Sequence, residues 1–182
     1  MLITGDMTPV EVEKICCLDN IEEYFIESYS RNEKLERAYE AVFYSELFAP
    51  HKDLVSEIFD CFKLEKYKIT IPSAILLVEF AISQISDSNK IGDKLKTEFE
   101  IKVVKEQKDY TVDKLSYVST LSFFSKLFRG DNVRPKSRKD VLHRDSVLHG
   151  TSPSKEWTKV DAVMLINALY AFTLPFGKTK GE

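Results

Sequence analysis

Apolar residues recur at intervals of three and four along most of this chain, and only six glycines and six prolines interrupt 182 residues. That spacing lays an apolar stripe along successive helices, and the scarcity of breakers leaves little room for hairpins. An all-α helical bundle is therefore predicted. Thr8 is placed to cap a first helix, with Pro9 at its first position and Glu11 and Glu13 near the positive end of the dipole. Further helices are predicted over 21–29, 33–48, 52–62 and 73–85. Between 91 and 108 charged residues surround Ile101, Val103 and Val104, which leaves helix and short strand both open.

Beyond this, 109–127 places Leu115, Val118, Leu121, Phe124 and Leu127 at helical spacing. Ser137, three residues before Asp140, opens a helix over 138–149, and Gly150 stands where a left-handed residue would close it. Ser152-Pro153 starts a last helix that runs to the stop at Pro175. The aromatic residues Tyr24, Phe25, Tyr39, Phe43 and Tyr44 are expected in the core.

With 43% hydrophobic and 30% charged residues, the chain has the composition of one globular domain spanning 1–182. A formal charge of -3 argues against coating nucleic acid through bulk charge, so any phosphate contact must be local. Cys16 and Cys17 are adjacent and Cys61 is remote, which suits free thiols and offers neither a disulfide framework nor a metal site. The N-terminus lacks the basic start and apolar run of a secretory signal. The longest apolar tract, 69–85, is broken by Thr70, Pro72, Ser73, Glu79, Ser83 and Gln84, which fits a buried helix better than a membrane span. A cytoplasmic protein with no membrane partner is expected.

Two of the three histidines lie in LHRDSVLHG, residues 142–150. On a helix Asp145 neighbours His149, four residues on, and its carboxylate can hold the imidazole through one ring nitrogen. Arg144 lies about 140° round an ideal helix from His149, so the two meet only if the arginine bends round, the helix end distorts, or a second copy contributes. An arginine stabilises a phosphate and a histidine moves protons near neutral pH, the pair of functions that cleavage of RNA through its 2′-hydroxyl requires. Between 126 and 144 seven basic residues, Arg138 and Arg144 among them, face two acidic ones, a local basic surface for an RNA backbone. The same pattern also suits an ordinary helix end, where basic residues complement the dipole.

RDSVLHG, Arg144 to Gly150, resembles the signature of the HEPN superfamily: an arginine, a polar residue, three variable residues and a histidine. The turn after it and the Ala- and Leu-rich last helix also look like members linked to phage defence, the similarity in layout covering 108–176. The resemblance implies a helical bundle with the motif helix late in the chain, paired as a symmetric homodimer. It further implies a metal-independent endoribonuclease, without cofactors, that leaves 2′,3′-cyclic phosphate ends and acts as an antiviral-defence effector or toxin. An antitoxin or regulatory partner belongs to that setting. Carried over, Arg144 stabilises the phosphate, His149 is general acid or base, Asp145 is the polar second residue, and Arg138 is a candidate RNA contact. Thr151 stands where one subgroup has a tyrosine that is adenylylated, so that form of control is not implied. The alternative is a catalytically inactive helical module that binds a nucleotide or a protein partner.

Three other features carry less. Gly177-Lys178-Thr179 mimics a phosphate-binding loop, but Phe172 occupies the position of the earlier glycine. His51 lacks a partner at ligand spacing and is expected to be structural, and His143 stays outside the catalytic set. Trp157 is expected to pack in the core or at a dimer contact.

Overall fold

A computed structural model describes residues 7–30, 33–106, 111–128 and 142–173. Every described element is a helix. In chain order the α-helices are α1 (Pro9–Cys16), α2 (Ile21–Ser30), α3 (Glu33–Tyr44), α4 (Lys52–Lys63), α5 (Tyr67–Ser86), α6 (Gly92–Glu106), α7 (Thr111–Leu127), α8 (Arg144–Leu148) and α9 (Lys159–Phe172). Two 3-10 helices, Glu46–His51 and Ser154–Glu156, join α3 to α4 and α8 to α9.

The bundle is built round α5 and α9, which pack on each other; α4 and α6 lie against α5, and α2, α3 and α7 against α9. The sequence of α9 explains its position. From Ala162 to Phe172 every residue is buried except Met164, and a helix that is apolar all round is stable only inside. By length and composition α5 is the one described helix apolar enough to cross a membrane. Within the bundle it buries Ile71, Ala74, Ile75, Leu77, Val78, Ala81 and Ile82 and exposes Ile69 and Leu76.

Local chemistry sets several boundaries. Thr8 and Glu11 form the capping box that opens α1, with the Thr8 N–H donating to Glu11 Oε2 at 2.8 Å. The helix expected to start at 73 starts at Tyr67, because Pro72 so near the N-terminus forfeits a single backbone bond while buried Thr70 and Ile71 hold the turn before it. The segment left open between strand and helix is α6. Leu95 and Phe99, four residues apart, are both fully buried, and that helical stripe outweighs the β-branched residues after it. Val118, expected on the apolar stripe of α7, is exposed. The helix expected over 33–48 ends at Tyr44, and Ser45 accepts from Leu47 N–H to open the 3-10 turn. Tyr44, expected in the core, is exposed.

The three cysteines are free thiols, and His51 sets its ring edge-to-face on Phe80 with centroids 4.4 Å apart. An aromatic cluster ties α6, α7 and α9 together: Phe124 stacks on Phe172 at 5.3 Å and Phe99 meets both edge-on. In the same core the amide of Asn167 donates to the hydroxyl of Tyr29 at 3.1 Å, a polar link between α9 and α2.

Candidate active site

The motif folds into a shorter helix than its sequence suggests. Leu142 and His143 precede α8, with His143 extended at its N-cap, so the helix begins at Arg144 and spans five residues. Arg138 and the Ser137/Asp140 start lie outside the described residues. Leu142 turns into the core, and Val147 follows it one turn later, which anchors α8 from both sides.

Gly150 closes α8 as expected. Its φ of +69° is left-handed, its N–H donates to Val147 O at 3.1 Å, and the N–H of Thr151 donates to Ser146 O at 2.9 Å. Those two bonds are a Schellman closure, which uses carbonyls that the helix end would leave unpaired. Ser152 also donates to Ser146 O, and its hydroxyl accepts from the Trp157 indole at 3.0 Å. This bond holds Trp157, half-buried on the core, before the last helix. Thr158 and Asp161 then form the capping box that starts α9 at Lys159, seven residues later than Ser152.

Arg144 does not point along α8 toward His149. It crosses to α5, where Nε lies 3.1 Å from Glu79 Oε2 and Nη2 lies 2.6 Å from Oε1 and 2.7 Å from Oε2. The pair is largely enclosed, with side-chain exposures of 13% for Arg144 and 14% for Glu79. The remaining nitrogen, Nη1, donates to Asp145 Oδ1. Burial works against the guanidinium charge, but the bonds and charges of Glu79 and Asp145 outweigh it, so the Arg144 pKa is raised.

Glu79 was not legible as a site residue from local spacing. Its signal was being the sole acid in a long apolar helix, where a carboxylate needs a partner.

Asp145 thus spends its carboxylate on Arg144 and makes no side-chain bond to His149; only the His149 N–H reaches the Asp145 carbonyl, at 2.9 Å. His149 caps the C-terminus of α8 with its side chain exposed, and its imidazole makes no hydrogen bond among the described residues. Arg144 and His149 accordingly face separate surroundings in one copy of the chain, the first clamped on α5 and the second open to solvent. His143 is half-buried at the start of α8. Among the described residues no three His, Cys, Asp or Glu side chains gather as a metal site.

Comparison with protein-family models, curated proteins and solved structures yields no match.

Proposed function

We propose that this protein is a metal-independent endoribonuclease that works as a homodimer, with a composite site formed by the α8 segments of two copies. The observation that carries the reading is the disposition of the RDSVLHG segment: a histidine exposed at one end of a five-residue helix and an arginine held at the other. Among the described residues nothing bonds the imidazole, which leaves it open to a ligand, and Arg144 is the one arginine or lysine in the seven-residue motif. Because the two are not joined within one copy, a second copy is the natural source of the missing half.

In that site one His149 takes the proton of a ribose 2′-hydroxyl as its oxygen attacks phosphorus. The P–O5′ bond breaks, and the leaving oxygen receives a proton from the His149 of the other copy. Arg144 stabilises the charge that builds on the phosphoryl oxygens. The products are a 2′,3′-cyclic phosphate and a free 5′-hydroxyl. In its biological setting the protein is a cytoplasmic effector or toxin of antiviral defence, restrained by an antitoxin or regulatory partner.

A second reading, a catalytically idle module that binds a nucleotide or a protein, is favoured by one specific observation. Two carboxylates already occupy Arg144, which then serves to pin α8 onto α5. Cleavage of a labelled structured RNA in excess EDTA, by the wild type and by His149→Ala, separates the two. Cutting by the wild type alone, with cyclic 3′ ends, supports the ribonuclease. Folded protein that cuts in neither form supports the module.

A further inference from the structure

A guanidinium offers two bidentate edges, one formed by Nε and Nη2 and the other by the two terminal nitrogens. In this structure Glu79 grips the first edge with both carboxylate oxygens. Asp145 reaches only Nη1, on the outer edge. The two acids also differ in setting. Glu79 is 14% exposed and comes from the central helix, whereas Asp145 is 51% exposed and adjoins Arg144 in sequence. One is fixed and the other can swing into water.

We infer that the Nη1/Nη2 edge of Arg144 is a seat for an RNA phosphodiester, that Glu79 is the positioning residue which aims it, and that the Asp145 carboxylate occupies the seat until a phosphate displaces it. The inference rests on the ribonuclease reading and deepens it by assigning separate tasks to the two carboxylates. With one cation between two carboxylates the resting cluster is net negative and repels a phosphate. Rotation of Asp145 into solvent leaves the Arg144–Glu79 pair neutral, removes the repulsion and opens a pair of parallel donors of the kind that grip phosphate oxygens. Glu79 meanwhile keeps the guanidinium plane from turning. An arginine held by one edge has already lost most of its freedom, so a phosphate meets it without further ordering.

The test uses a fluorescent RNA with every 2′-hydroxyl methylated, which can be bound but not cut, titrated into the full chain at fixed salt. Asp145→Asn is expected to bind it about tenfold more tightly than the wild type, because a competing charge is removed at contact distance. Glu79→Gln added to Asp145→Asn is expected to abolish that gain. A Glu79 with a purely structural role would lower stability and leave the gain in place. The Arg144 Nε–H signal in nitrogen-15 NMR reports the clamp directly: it should stay protected from exchange on addition of the RNA to the wild type and lose protection in Glu79→Gln.

Unchanged or weaker binding by Asp145→Asn, or no binding by any variant, would overturn the seat. The Asp145→Asn result is sufficient for this even where Glu79→Gln does not fold. The two readings also fail separately. Binding that tightens in Asp145→Asn, with no cleavage of unmethylated RNA by the wild type, keeps the seat and removes the ribonuclease; cleavage with binding indifferent to Asp145 does the reverse.

Discussion

Glu79 and Arg144 are 65 residues apart in sequence and closed on each other in space, with Glu79 Oε1 lying 2.6 Å from Arg144 Nη2. This pair is a polar link between the central helix and the motif helix, and it is largely enclosed from water. Removing one partner leaves the other's charge poorly solvated, so Glu79→Ala is expected to destabilise the fold by about 2–4 kcal/mol. Glu79→Ala combined with Arg144→Met should cost less than the sum of the single changes, and urea unfolding of the four proteins measures the coupling.

His149 presents the opposite case. Its imidazole is exposed and makes no hydrogen bond among the described residues, so His149→Ala should leave stability within ~0.5 kcal/mol of the wild type, the range for surface positions without special contacts. Loss of a general acid or base, however, should lower RNA cleavage by about 10²–10⁴-fold. Thermal unfolding and cleavage rates measured on the same preparation check both halves.

The contrast between these residues shows how far the sequence could be read. Caps were legible because they are local: Thr8 at the start of α1, and Gly150 after His149, are decided by neighbours a few positions away. Phe124 and Leu127 were legible as core from spacing alone. The destination of Arg144 was not, because spacing within a helix says nothing about a carboxylate 65 residues upstream. Asp145 stands at i,i+4 from His149, a pairing that helices permit, yet an adjacent guanidinium offers it a charge-assisted bond, the stronger choice. Ser152-Pro153 has the local chemistry of a helix start, but Thr158 and Asp161 carry the capping-box spacing and it is there that the last helix opens.

Gly150→Ala isolates the backbone contribution of the turn. A Cβ at this position would meet nothing within 4 Å, so no clash is added and only the left-handed φ of +69° is penalised. The expected loss is about 1 kcal/mol, which denaturant unfolding can resolve. Since His149 is the residue before this turn, cleavage should fall more than stability if the turn sets the direction of the imidazole.

Acid should loosen the N-terminus before the core. The Glu11 carboxyl is held below its ordinary value of 4.5, first because it accepts the Thr8 backbone N–H and then because it accepts the Thr8 hydroxyl. A carboxyl whose pKa is lower in the folded than in the unfolded state stabilises the fold above the unfolded value, and that stabilisation is lost as pH falls through the folded value. Amide exchange in α1 should therefore accelerate as pH drops below 4.5, relative to its intrinsic rate, and Glu11→Gln should remove most of the pH dependence.

Tyr29→Phe probes the polar link inside the core. Its hydroxyl accepts from the Asn167 amide at 3.1 Å, and both side chains are fully buried, so the substitution deletes a hydrogen bond without opening a cavity larger than one oxygen atom. A loss of about 1–2 kcal/mol is expected, from the missing bond and from the incomplete solvation of the amide left behind. Both residues make further contacts in the core, so Asn167→Leu in the Tyr29→Phe background should cost less than the sum of the two single changes without returning to the wild type. Urea unfolding of the four proteins measures that coupling, and strictly additive losses would show that the two side chains hold α2 and α9 independently of their shared bond.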